Sequence, residues 1–150
     1  MNGAAEDFAR PPDPEKIVTV LSVSESPDDH AALRLVFRHT NWVLLEASCC
    51  GDALARLRKQ PVPVVICDAC LPDGTWKDLL RYIAAQPEPP QLIVACRLAD
   101  DRLWAEVLNL GGYNLLEKPF ERSDLVHLIS MAWLHWKHQR SSALALAAAG

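Results

Sequence analysis

The chain has 150 residues, half of them apolar and 23% charged, with 15 Lys and Arg against 19 Asp and Glu for a net charge of −4. A domain of this length buries about two thirds of its unfolded surface, so its core needs neither disulfides nor a metal, and a mean hydropathy of +0.02 excludes disorder for the bulk of the chain. No apolar run approaches the roughly 18 residues of a membrane helix, and the mild acidity offers no basic face for nucleic acid. The acidic, Pro-rich start MNGAAEDFARPPDPEK lacks the basic and apolar regions of a signal peptide. With five cysteines, an odd number, reduced thiols and a cytoplasmic location are expected.

Residues 1–15 are expected to be a disordered lead. From there, short apolar runs alternate with amphipathic stretches. Ile17–Val23, Trp42–Ala47, Val62–Cys67, Leu92–Cys96 and Tyr113–Leu116 read as strands from their branched and aromatic residues. The first helix is predicted over 27–39, with Ser26 as N-cap, Pro27 at the first helical position and Leu33, Val36 and Phe37 on one side. Helices over 51–60 and 75–86 follow, carrying Ala53, Leu54, Leu57 and Leu79, Leu80, Ile83. A fourth, over 101–110, is stopped by Gly111–Gly112, and a last one, over 122–138, carries Leu125, Ile129, Ala132, Trp133 and Trp136 at helical spacing. The alanine-rich 139–150 reads as a flexible or frayed helical tail. This alternation implies an α/β fold with a parallel sheet covered on both faces. In such sheets ligands sit at the carboxyl ends of the strands where strand order reverses.

At those strand ends stand Ser24–Glu25, Asp68, Cys96–Arg97 and Glu117–Lys118–Pro119–Phe120. The stretches VVICDACLPDG (64–74) and LLEKPF (115–120), with a Leu-Gly-Gly before the fifth strand, resemble the receiver domain of two-component response regulators. The likeness runs over about 16–138. It implies a doubly wound five-stranded parallel sheet, flavodoxin-like, in the order 2-1-3-4-5; that order comes with the resemblance. It further implies that Asp68 is the phosphoryl acceptor and that Lys118 pairs with Asp68 or the phosphoryl oxygens. Mg²⁺ would be held, in a weakened site, by Glu25, Asp68 and the backbone carbonyl of Cys70. A cation is needed because a carboxylate meets an anionic donor, and the transfer depends on positioning and charge stabilisation. The Lys118–Pro119 bond is a candidate for the cis form.

Three positions depart from the family pattern. Ser24 stands where receivers usually carry the first of two carboxylates, so metal affinity should fall. Asp28 and Asp29, close by, are read as complementing the dipole of the first helix. Ala95 occupies the position read as the Thr or Ser that bonds the phosphoryl group, and a methyl cannot donate. Leu115 stands at the aromatic switch position, with Tyr113 expected on the same face of the strand. The expected function is a stand-alone receiver, not an enzyme. A histidine kinase or phosphotransfer protein would phosphorylate it, and it would signal by protein contact. The alternative is a phosphorylation-independent binding module. An unrelated flavodoxin-like enzyme is disfavoured by the absence of a Gly-rich phosphate loop.

Cys67-Asp-Ala-Cys70 is formally a redox spacing, but Cys67 ends a buried strand rather than opening a helix, so buried free thiols are the better reading. Cys70 and Cys96, at neighbouring strand ends, are candidates for oxidation. His127, His135 and His138 lack further metal ligands and read as a solvated helix face. Trp133 and Trp136 are read either as core or, where the last helix exposes them, as partner anchors, and with Trp104 they are candidates for a partner or homodimer surface on the face of the fourth helix, fifth strand and last helix. Trp76 is placed to cover the Asp68 site.

Overall fold

A computed structural model of the chain describes residues 12–149. Five strands, β1 (Thr19–Val23), β2 (Val43–Ala47), β3 (Val64–Asp68), β4 (Gln91–Cys96) and β5 (Asn114–Glu117), form one sheet in the order β2-β1-β3-β4-β5. Every neighbouring pair is parallel. The helices between them are α1 (Pro27–Phe37), α2 (Cys50–Lys59), α3 (Trp76–Ala84), α4 (Asp101–Leu110) and α5 (Arg122–Ala149). The strand order expected from the family resemblance is therefore the observed one. The order reverses between β1 and β3, which opens a crevice at their carboxyl ends.

The helices begin and end where local chemistry directs. Ser26 caps α1 by accepting from the Asp29 N–H, with Pro27 next in the chain, and Gly111 closes α4 in the left-handed region at φ 104°. Each face of the sheet carries its own core layer. On one, Leu33 and Phe37 of α1 and Leu125, Ile129 and Ala132 of α5 pack on Val20, Val64 and Ile93. On the other, Ala53, Leu79, Ile83 and Val107 from α2, α3 and α4 pack on Leu21, Val65 and Leu92. Strands covered on both sides explain why their sequences run apolar without alternation.

Two expectations are corrected, at Trp76 and Tyr113. Trp76 does not cover the Asp68 site: it opens α3 and shares the spacing of Leu79, Leu80 and Ile83, which turns its ring into the core, 3% exposed. Trp136 completes the buried stripe Leu125, Ile129, Ala132 of α5 and is core as well, leaving Trp104 as the exposed member of the three. Tyr113 does not share a face with Leu115. It precedes the ladder and packs in the α1–α5 layer against the ring of His135, while Leu115 packs in the other layer. At this entry to β5 the Asn114 side chain accepts the Leu115 N–H at 2.8 Å. A two-stranded ribbon, Cys70–Leu71 with Gly74–Thr75, stands outside the five strands expected from the sequence.

Residues 1–11 of the expected disordered lead lie outside the described residues. Residues 13–15 rest on α5: Trp133 Nε1 donates to the Pro14 carbonyl at 2.9 Å, and Arg140 pairs with Glu15. The last helix runs on to Ala149 without a break. No helix among the described residues is long and apolar enough to cross a membrane.

Candidate functional site

Asp68 ends β3, and Lys118 follows β5 two strands away, ahead of a cis bond to Pro119. The Lys118 backbone N–H bonds the Cys96 carbonyl at 3.0 Å, which ties the chain after β5 to the end of β4. From there the Lys118 ammonium reaches Asp68 Oδ1 at 2.7 Å, and Ser24 at the end of β1 donates its hydroxyl to Asp68 Oδ2 at 2.6 Å. Of the three residues that sequence placed at three strand ends, Ser24 and Lys118 thus converge on the carboxylate of the third, Asp68.

A fourth member comes from α1. Asp29 Oδ2 lies 2.5 Å from Lys118 Nζ, so the ammonium is held between two carboxylates, and Arg97 approaches the other Asp29 oxygen at 3.9 Å. The reading of Asp29 as a dipole partner alone is corrected: it stands in the first turn of α1, yet the same turn faces the crevice and carries the side chain to Lys118. Behind it, buried His30 joins Ser22 and Ser24. Its Nε2 lies 2.8 Å from the Ser24 carbonyl and its Nδ1 3.1 Å from the Ser22 hydroxyl. With Nε2 carrying the proton, the ring donates to Ser24 and accepts from Ser22, which fixes the backbone from which the Ser24 hydroxyl reaches Asp68. Neither Asp29 nor His30 stood out by residue pattern.

Burial pulls the Lys118 ammonium down, but its bonds to Asp29 and Asp68 together outweigh that and hold its pKa above the ordinary lysine value. Burial, with Cys50 and Asp68 adding to it, drives the Cys67 thiol far up, so it stays protonated, consistent with a structural cysteine. The Cys50 thiol is pushed up to about 11, by burial first and by the nearby Asp73 carboxylate second. Asp73, in the turn after Asp68, accepts the Cys50 and Gly51 N–H groups at 2.8 and 3.0 Å. These two bonds tie the loop after Asp68 to the start of α2.

Of the remaining positions, Ala95 pairs with Asp68 in register and is buried in the α1–α5 layer, while Leu115 is partly buried in the opposite one. Glu25 is exposed. Cys70 faces Thr75 across the ribbon. Trp76 N–H bonds the Ala69 carbonyl and Thr75 N–H bonds Asp78, so Cys70 and Thr75 form a pair whose backbone groups point away from each other. Among the described residues no three His, Cys, Asp or Glu side chains are arranged to hold a metal ion. Both oxygens of Asp68 already have donors, and a neutral hydroxyl stands at Ser24, so the donor set as it stands does not fit a divalent ion.

The sequence profile of the response regulator receiver domain family matches residues 20–130. The chain belongs to that family. Among curated receiver relatives it is 31% identical over 111 residues to TcrX of Mycobacterium tuberculosis, described as a probable transcriptional regulatory protein, covering 73% of this chain and 47% of TcrX. It is 27% identical over 119 residues to the hydrogenase transcriptional regulatory protein HoxA of Cupriavidus necator, covering 79% of this chain and 24% of HoxA. The chain therefore spans less than half the length of these two relatives. Among solved structures, the signal receiver domain of an HD domain-containing protein from Pseudomonas fluorescens superposes with a TM-score of 0.76 at 25% identity, covering 84% of this chain and 93% of that one. The chemotaxis response regulator CheY4 of Vibrio cholerae superposes with a TM-score of 0.71 at 18% identity, covering 78% of this chain and 99% of that one. In this receiver domain the crevice at the β1–β3 reversal is thus occupied by Ser24, Asp29, Asp68 and Lys118.

Proposed function

We propose that Asp68 accepts a phosphoryl group from a histidine kinase or phosphotransfer protein, and that the domain passes the signal on by protein contact. One observation carries this reading: Lys118 Nζ and the Ser24 hydroxyl engage the two oxygens of Asp68 at 2.7 and 2.6 Å. In the transfer an Asp68 oxygen attacks phosphorus, the P–N bond to the donor histidine breaks, and the imidazole leaves. The Lys118 ammonium offsets the charge that gathers on the phosphoryl oxygens, the usual main source of catalysis for this reaction. The chain acts as a signalling module and not as an enzyme, in the cytoplasm.

The contact surface is the face around α4, β5 and α5. Trp104 there is 48% exposed, with its Nε1 donating to Asn114, and Leu108, one turn further along α4, is exposed too. An exposed aromatic anchored by one polar atom suits a partner protein or a second copy. The solved receiver domain of NtrC4 is a dimer in its beryllofluoride-activated form.

A second reading, a phosphorylation-independent binding module, is favoured by Ala95 and Leu115, which leave no hydroxyl and no aromatic ring at the read switch positions. Intact-mass analysis after incubation with a small acyl phosphate separates the two. Wild type gains one phosphoryl group and Asp68→Ala gains none under the first reading. Under the second neither gains one, and Asp68→Ala keeps wild-type partner binding.

A further inference from the structure

We propose that Asp29 is a positioning residue that clamps the Lys118 ammonium between two carboxylates, so that an internal cation fills the slot a divalent metal ion would need. Lys118 Nζ has Asp29 Oδ2 on one side and Asp68 Oδ1 on the other, with side chains that are 9%, 11% and 15% exposed respectively. An ammonium this far from water needs ionic partners, and two are supplied. Asp29 gives the pocket back the negative charge that Ser24 withholds, but gives it to the lysine. Ser24 spends its hydroxyl hydrogen on the remaining Asp68 oxygen, and Arg97 stands at the remaining Asp29 oxygen. Two carboxylates against Lys118 and Arg97 leave the pocket without net charge.

Mg²⁺ demands a near-octahedral set of oxygens at short range and sheds its water reluctantly. To bind here it would have to displace Lys118 from both carboxylates and leave a largely enclosed ammonium without an ionic partner. Glu25 and Asp28, the other carboxylates close to Asp29 in sequence, are exposed. The clamp is a property of the resting domain. It rests on the reading of Asp68 as acceptor only for its consequence, that charge stabilisation at Asp68 comes from the protein itself.

The test is a Mg²⁺ titration of the unphosphorylated full chain followed by amide NMR at Ser24, Asp29 and Asp68. Wild type is expected to show no saturable shift at low-millimolar Mg²⁺. Lys118→Met, which vacates the slot and keeps both carboxylates, is expected to bind at least about tenfold more tightly, and adding Asp29→Asn removes the gain. Saturable binding to wild type as tight as to Lys118→Met, or a gain that survives Asp29→Asn, overturns the proposal. Lys118→Gln serves if the methionine variant does not fold, and saturation of wild type at low-millimolar Mg²⁺ overturns the proposal by itself. Because no phosphoryl donor is present, failure here is distinct from failure of Asp68 to accept one.

Discussion

A single side chain, Lys118, connects the two halves of the site, and its ionisation makes a prediction. Its folded pKa is raised above the ordinary lysine value of about 10.4. The stability it contributes is therefore fully present below that pH and is lost as pH rises through the raised folded value. Denaturation midpoints of wild type and Lys118→Met should differ at pH 8 and draw together above about pH 10.4; a gap that persists to the alkaline limit would contradict the ion-pair account. Ser24→Ala should cost about 1.5–3 kcal/mol by urea denaturation, since it removes a hydrogen bond to a charged acceptor and leaves Asp68 with one donor. Asp68 and Lys118 were legible in the sequence because each follows a strand and sits inside a motif. Asp29 was not, because an acidic residue in a first helical turn already has a sufficient local explanation, and its partner lies 89 residues away.

Among the elements, the turn from α4 into β5 is tightly specified. A Cβ on Gly112 would fall 2.5 Å from Val107 Cγ1 and 3.0 Å from the Val107 carbonyl oxygen, the same oxygen that accepts the Gly112 N–H. Gly112→Ala should lower stability by about 1–3 kcal/mol, measured by chemical denaturation. At the start of α2, Asp73 is held below the ordinary carboxylate range by the Gly51 and Cys50 N–H groups. Its stabilisation is present above an unfolded pKa of about 3.9 and is lost as pH falls through the lowered folded value. Asp73→Asn should melt lower than wild type at neutral pH, and the difference should close in acid. Strand and helix positions were readable from spacing, as with Leu79, Leu80 and Ile83 or the stop at Gly111. The ribbon after Asp68 was not, because two-residue strands carry no periodicity. Nor was the burial of Trp136, since an aromatic at helical spacing looks the same whether it faces core or partner.

At the scale of the molecule, two core layers on one parallel sheet hold the strand ends together, and the last helix reaches past them. Arg140 pairs with Glu88 and Glu15, while residues 141–149 are exposed. Removing residues 141–150 should leave the midpoint of unfolding unchanged, and Arg140→Ala should cost at most about 1 kcal/mol, as half-exposed ion pairs do. The order of strands followed from family likeness, and the convergence of Ser24, Asp68 and Lys118 followed from that order. The share of Lys118 between two carboxylates required coordinates. The central claim is that Asp68 is a phosphoryl acceptor served by this lysine. Its most direct test is phosphotransfer from a phosphorylated histidine kinase or phosphotransfer protein, read by intact mass on wild type, Asp68→Ala and Lys118→Met. One added phosphoryl group is expected on wild type, none on Asp68→Ala, and slowed transfer to Lys118→Met. Equal labelling of wild type and Asp68→Ala, or no labelling of wild type by kinase or small donor, would contradict it.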